Sequence, residues 1–210
     1  IIVSLYDKSH NSLDNLKNDY PELESSSVFD DINKFISSIS KPRKVLVLVP
    51  SGPALDEVIS LLIQYLDSND ILIDGGNTNP NVSFENHQTI KSKNLLYIGM
   101  GVSGGVKGVL EGPSIMIGGD TNAFDQVKNI FSQITSKTIN GSKSFEFFGD
   151  SNQGHFVKMI HNGIEYVEMQ LISSIYYLMI NSKKYMYDDV AKIFKKWNDI
   201  DLNSYLLEIS

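Results

Sequence analysis

The stretch KVLVLVPSGPALDEVISLLIQYLDSNDILID, Lys44 to Asp74, decides the fold. Lys44 to Val49 is a short apolar run of the kind found in a strand covered on both faces. Ser51-Gly52-Pro53 then punctuates the chain, and Pro53 to Leu66 carries apolar residues at helical spacing. Ile71 to Asp74 repeats the strand pattern. Strand, helix and strand in that order imply a parallel pair joined by a right-handed crossover. The same rhythm extends in both directions. Strands are expected at Ile1 to Tyr6, Leu95 to Ile98, Ser114 to Ile117 and Phe145 to Phe148. Helices are expected at Val28 to Ile39, after a serine run, and at Asn122 to Ile134, after Gly-Asp-Thr. After Gly149 the strand pattern stops. A single apolar pattern from Gln153 to about Ile180 reads as one long helix, followed by Tyr187 to Trp197 and a short terminal piece. The reading is an α/β fold over residues 1–150 followed by an all-α stretch over 151–210.

With 210 residues and 41% hydrophobic content, the chain can bury one large core or two small ones. No run approaches the roughly 20 apolar residues of a membrane span, and the opening IIVSLYDKSH has no signal-peptide pattern. A cytoplasmic protein without a membrane partner is expected. The absence of cysteine removes disulfide and thiolate chemistry. A formal charge of −7 argues against a nucleic-acid partner. It also means that an anionic substrate needs local positive charge.

The chemistry gathers in GHFVKMIHNGIEYVEMQL. Lys158, His161, Asn162, Glu165 and Tyr166 stand at i, i+3, i+4, i+7 and i+8, so a helix would place five polar groups on one stripe. Phe156, Val157, Met159, Ile160, Ile164, Val167 and Leu171 surround them, which predicts a helix covered on most sides with its polar stripe opening into a cleft. A buried lysine can serve as a base near neutral pH, and a shielded carboxylic acid as a proton donor. The alternative is a solvated polar face on a helix packed by one side only. His161 and Glu165 at i, i+4 have no evident third ligand, so no metal is expected.

Gly99 to Gly104 formally matches G-x-G-x-x-G and follows a strand. The next residues, VKGVLEGP, hold more glycines and a proline, so no helix of useful length is expected there to receive a pyrophosphate. The run reads instead as a loop whose backbone amides and Ser103 hydroxyl face a carboxylate or hydroxyl group, or as a plain glycine turn. Asn77 lies just past the end of the strand Ile71 to Asp74, where open parallel sheets bind ligands. It can bridge two polar groups, or simply help to form the turn after Gly75 and Gly76.

HFVKMIHNGIEY, DGGN at Asp74 to Asn77 and GVSGG at Gly101 to Gly105 together resemble the decarboxylating 6-phosphogluconate dehydrogenases, in that family's order and separation. The resemblance covers nearly the whole chain, from LYDKS to the terminal KWNDIDLNSYLLEIS. The related 3-hydroxyacid dehydrogenases share the lysine and the glycine turn but are not expected to carry the whole HNGIEY run. The resemblance implies a Rossmann-like NADP-binding domain, partial over 1–150 and lacking its first strand and glycine turn. Residues 151–210 would then begin a helical domain for substrate binding and dimerisation. It implies oxidative decarboxylation of 6-phosphogluconate to ribulose 5-phosphate and CO2 in the pentose phosphate pathway, by a homodimer.

The same likeness assigns roles residue by residue. Lys158 would be the base and Glu165 the acid. Asn77, Ser103, Gly104, Gly105, His161, Asn162 and Tyr166 would bind substrate, with Asn77 also touching the cofactor. Asp7, Lys8 and Ser9, with Val49, Pro50 and Ser51, would bind NADP. Two stretches depart from the family. Asp7-Lys8-Ser9 stands where it has Asn-Arg-Thr, and Val49-Pro50-Ser51-Gly52 replaces a turn that usually offers a lysine and an alanine. Lys8 keeps the charge without arginine's planar fork, and Asp7 disfavours a 2′-phosphate, so NADP use with weak discrimination against NAD is expected. These 210 residues alone are expected to turn over little, since the family places further phosphate-binding groups elsewhere. A non-catalytic interaction protein that kept the fold is the other reading.

Overall fold

The computed structural model describes residues 2–21, 27–138, 140–200 and 202–210, and the backbone alone at Val106, Lys107 and Val109. Ile1 and part of the serine run before Val28 lie outside the described residues. The chain forms two compact units, one running to Lys158 and the other from Met159 to Ser210.

The first unit opens with β1 (Leu5–Tyr6), α1 (His10–Asp19), β2 (Val28–Phe29) and α2 (Ile32–Ser37). The single helix expected from Val28 to Ile39 is thus divided. Val28 and Phe29 pair in parallel with Leu5 and Tyr6, and the helix starts only at Asp31, whose carboxylate accepts from the Lys34 amide at 3.0 Å. A capping aspartate fixes a helix start more strongly than apolar spacing does. α1 begins in the same way at Ser9, and sequence periodicity had not marked it.

The second sheet has the order β3 (Lys44–Val47), β4 (Ile71–Asp74), β5 (Leu96–Ser103), β6 (Ser114–Gly119) and β7 (Phe145–Phe147). Between these strands lie α3 (Pro53–Leu62), α4 (Pro80–Lys91), α5 (Gly105–Glu111) and α6 (Thr121–Ile134). The sheet is parallel except that β5 and β6 run antiparallel. The cause is the short link from Gly104 to Pro113, less than the dozen or so residues that a parallel return needs. Two expectations change here. β5 does not stop at Ile98 but continues through Gly99 and Gly101 to Ser103, held by pairing to β6. A seven-residue helix, α5, does form at Gly105 in the glycine-rich run.

β4 is buried on both faces. Leu72 packs with Val45, Val47, Leu55, Ile59 and Tyr97 on one side. Ile71 and Ile73 pack with Ile98, Ile117, Val127 and Phe131 on the other, under α6. This two-faced cover is why the strand reads as a continuous apolar run.

α7 (Gln153–Asn181) begins in the first unit, which runs to Lys158, eight residues past the boundary expected near Asp150. The reason is local close packing. A Cβ on Gly154 would lie 2.3 Å from the Gly99 carbonyl oxygen and 2.6 Å from the Gly118 amide nitrogen, so only glycine lets this helix start lie flat on β5 and β6.

In the second unit α8 (Tyr187–Ile200) and α9 (Tyr205–Glu208) pack on the later turns of α7. Its core is Val190, Phe194 and Leu207 with Ile172, Met179, Ile180 and Trp197, and the Phe194 and Trp197 rings stack at 5.6 Å. Among the described residues no helix is long and apolar enough to cross a membrane.

Candidate active site

The Lys158 residue is buried, with 7% of its surface exposed. Its seat explains a glycine. A Cβ on Gly101 would meet Lys158 Cβ at 2.2 Å and Cγ at 2.6 Å, so the aliphatic stem lies directly over the bare backbone of β5. Gly99, Gly101 and Ser103 alternate along the strand and share one face. His155 rests against Gly99 and Lys158 against Gly101, matching two steps of a strand to one turn of α7. The apparent dinucleotide motif is therefore strand, and its first two glycines receive a helix.

Ser103 ends β5, and Gly104 (φ 134) and Gly105 (φ 57) turn the backbone away from it. Both angles lie in the region that favours glycine. The Gly108 amide donates to the Gly104 carbonyl at 2.7 Å, closing the first turn of α5. The three residues named from sequence, Ser103, Gly104 and Gly105, thus form one corner two positions beyond the lysine seat.

At the end of β4 the turn Gly75-Gly76-Asn77 is pinned by Asp74, which is fully buried. Its carboxylate accepts from the Gly76 amide at 3.0 Å, from the Thr78 hydroxyl at 2.7 Å and from Tyr97 Oη at 3.4 Å. Asn77 is exposed between buried Asp74 and buried Thr78. The Gly75 amide donates to the Val47 carbonyl at 3.0 Å, and a Cβ on Gly76 would lie 3.1 Å from the Val49 carbonyl oxygen. Asn77's turn and the Val49-Pro50-Ser51 turn are therefore neighbours at the carboxyl ends of β4 and β3.

Asp7 is engaged locally, accepting from the Ser9 amide at 2.8 Å. Ser9 in turn caps α1, accepting from the Ser12 amide at 3.3 Å. Lys8 lies 3.5 Å from Glu57 of α3, which draws the end of β1 toward the helix after Val49-Pro50-Ser51.

The rest of the stripe belongs to the second unit. His161 Nδ1 and Glu165 Oε2 are 3.1 Å apart, both half-buried, and Asn162 is half-buried beside them in sequence. The expected cover on most sides fails along this part of α7. Met159, Ile160, Ile164, Val167 and Leu171 are exposed, Tyr166 is 70% exposed, and the Glu165 side chain is 41% exposed. The second unit's core takes only Ile172, Met179 and Ile180 from α7, leaving the earlier turns open. Among the described residues no cluster suited to a metal ion occurs.

Sequence reasoning passed over a buried polar group beneath Lys158. His155 is 2% exposed, with Nδ1 2.8 Å from Ser83 Oγ and Nε2 4.0 Å from Asp74 Oδ2. Ser83 Oγ lies 3.0 Å from Tyr97 Oη, and His87 stacks on Tyr97 and approaches Asp120 at 3.2 Å. The available signal was His155 one turn before Lys158.

Burial lowers the His155 pKa below 6.5, outweighing the Asp74 charge that raises it. Burial also pushes Asp120 up, but hydrogen bonds from His87 and the Tyr97 amide hold it below 3.8. A histidine kept neutral in the fold stabilises fully above the unfolded value and loses that contribution as pH falls below 6.5. A depressed carboxylate loses its contribution only as pH falls through its lower folded value. Urea unfolding of the chain should therefore show a midpoint that declines between pH 7 and pH 5, and a decline removed by His155→Gln. A flat midpoint over that range contradicts the assignment.

The sequence pattern of the NAD binding domain of 6-phosphogluconate dehydrogenase matches residues 1–142, and that of the 6-phosphogluconate dehydrogenase C-terminal domain matches residues 154–210. The chain belongs to the 6-phosphogluconate dehydrogenase family. A Staphylococcus epidermidis protein named 6-phosphogluconate dehydrogenase, decarboxylating, is 40% identical over 208 residues, covering 99% of this chain and 44% of that protein. Its Staphylococcus aureus namesake is 43% identical over 179 residues, 85% of this chain and 38% of that protein. Among solved structures, Plasmodium falciparum 6-phosphogluconate dehydrogenase, studied without ligand, with NADP+ and with 6-phosphogluconate, matches with TM-score 0.89 and 33% identity over all of this chain and 50% of its own. A Mycobacterium tuberculosis 3-hydroxyisobutyrate dehydrogenase shares the fold at TM-score 0.74 and 16% identity, over 98% of this chain and 64% of its own. The chain thus spans about half the length of the 6-phosphogluconate dehydrogenases it matches.

Proposed function

We propose that this chain carries the base and the cofactor edge of a decarboxylating 6-phosphogluconate dehydrogenase that uses NADP. The carrying observation is Lys158, buried on the bare backbone of Gly101, two residues before the Ser103-Gly104-Gly105 corner.

Lys158 takes the proton from the C3 hydroxyl of 6-phosphogluconate. NADP, when bound, would supply the acceptor for the hydride that leaves C3. The 3-keto acid then loses CO2, because the adjacent ketone receives the electron pair, and Glu165 delivers a proton to C1 of the enediol to give ribulose 5-phosphate. Ser103, Gly104, Gly105, His161 and Asn162 hold substrate oxygens, Tyr166 holds the phosphate, and Asn77 bridges substrate and nicotinamide. The protein acts as a homodimer in the cytoplasm.

The groups at the end of β1 fit an NADP ribose phosphate. Lys8 and the hydroxyl of Ser9 stand at the start of a ten-residue helix, where backbone amides favour an anion, while Asp7 is occupied with the Ser9 amide. Glu57 competes for Lys8. NADP is therefore preferred over NAD by a modest margin, and Lys8→Glu should reverse the order. Steady-state kinetics with both cofactors test this, and a strong NAD preference in the parent contradicts it.

The function itself is tested by replacing the matching stretch of the Staphylococcus epidermidis enzyme with this chain. The graft should reduce NADP with 6-phosphogluconate and release CO2. A folded graft that oxidises 3-hydroxyisobutyrate but not 6-phosphogluconate would assign the chain to the neighbouring dehydrogenases, and one inactive on both would favour the interaction-protein reading.

A further inference from the structure

We infer that His155 is a positioning residue that couples the turn carrying Asn77 to the turn of α7 carrying Lys158. This rests on the functional reading only for its effect on turnover. The coupling itself is a property of the first unit.

The geometry fixes what the ring can do. His155 is 2% exposed, and its Nδ1 contacts Ser83 Oγ, which is fully buried on α4. On its other side Nε2 makes no hydrogen bond and faces Asp74 Oδ2 at 4.0 Å. A carboxylate only accepts, so the nitrogen facing it must carry the proton. That nitrogen is Nε2, and Nδ1 then accepts from the Ser83 hydroxyl. Ser83 Oγ also lies 3.0 Å from Tyr97 Oη, a group whose burial and nearness to Asp74 keep it protonated. The protons thus run from Ser83 to His155 and on toward Asp74 at the end of β4.

The consequence follows from where these atoms sit. Asp74 accepts from the amide of Gly76, the residue before Asn77, at 3.0 Å, and His155 is three residues, nearly one helical turn, before Lys158. A shift of the β4 turn changes the environment of the His155 ring, and the ring is carried by the rigid start of α7. Gly99 permits the arrangement, since a Cβ there would lie 2.9 Å from both His155 Nδ1 and Ser83 Oγ. Asp74, Tyr97 and Ser83 are the polar side chains facing the ring in this packing, with His87 behind Tyr97.

Two variants separate the halves of the coupling. His155→Gln reaches the Asp74 side with its amide nitrogen, whereas His155→Asn is long enough only for Ser83. In the 210-residue chain, hydrogen exchange at the Gly76 and Asn77 amides should accelerate about tenfold or more in His155→Asn and stay within about threefold of the parent in His155→Gln. Val127, in the core on the opposite face of the sheet, is the control and should not change. Nitrogen-15 spectra of the parent should show His155 neutral, with Nε2 protonated and Nδ1 bare. Equal acceleration in both variants that includes Val127 would reduce His155 to a packing role. No acceleration in either, or an Nδ1-protonated ring, would also overturn the inference. In the graft, His155→Asn should lower kcat about tenfold and His155→Gln should restore most of it. If the parent graft is inactive the functional reading fails, while the exchange result still decides the coupling.

Discussion

Gly154→Ala should destabilise the first unit by more than about 3 kcal/mol, beyond the usual cost of an added methyl group in a packed core. The new Cβ would meet the Gly99 carbonyl oxygen at 2.3 Å, the Gly118 amide nitrogen at 2.6 Å and the Met116 carbonyl oxygen at 2.7 Å. All three are backbone atoms of the β5–β6 ladder, held by its hydrogen bonds. No side chain can rotate away, so either the helix start lifts or the ladder breaks. A fall in melting temperature on the order of 10 °C is the measurement. Gly105→Ala is the contrast. Nothing lies within 4 Å of a Cβ there, so only the φ of 57° resists it, at a cost of about 1 kcal/mol. Equal melting temperatures for the two variants would show that α7 does not start flush on the sheet.

Lys158→Met should lower turnover by a factor on the order of 10²–10⁴ while leaving 6-phosphogluconate binding within a few-fold, because a missing base is felt only in the transition state. Methionine keeps the stem's shape over Gly101 and removes only the amine. Gly101→Ala attacks the same group from the other side. The methyl would press on Lys158 Cβ and Cγ, the part of the side chain closest to the helix backbone, so α7 itself must shift. A displacement of about 1 Å at a catalytic group can cost about 10²-fold. Both variants, assayed in the graft, should therefore lower kcat more than they raise KM. A Lys158→Met variant that loses substrate affinity but keeps kcat would make the lysine a binding cation and not a base.

Much of this was legible in the chain itself, for identifiable reasons. β3, α3 and β4 follow from apolar runs and a proline at the helix start, because covered strands and N-terminal prolines leave strong local marks. The boundary of α2 was not legible, since the choice between helix and strand for Val28 and Phe29 rests on partners at Leu5 and Tyr6. The direction of β6 is likewise a consequence of link length and not of residue type. Lys158 could be singled out by a cation amid apolar neighbours, and its burial agrees with that reading. Its seat could not, because Gly99 and Gly101 imitate a phosphate-binding turn until the strand is seen to pass through them. Nor could His155 be placed, whose partners Ser83 and Asp74 are more than seventy residues away in sequence. Helical spacing located Glu165 but not its exposure, which depends on what packs on α7 after Lys158.

The most direct test is rescue of the missing amine. Lys158→Ala in the graft opens a space over Gly101 that a small primary amine can enter. Turnover of 6-phosphogluconate should be nearly absent without amine, should rise with the concentration of added ethylamine in its free-base form, and should follow amine basicity across a series of similar size. Turnover near the parent level without amine, or no gain from any amine in a folded graft whose parent is active, would contradict Lys158 as the base.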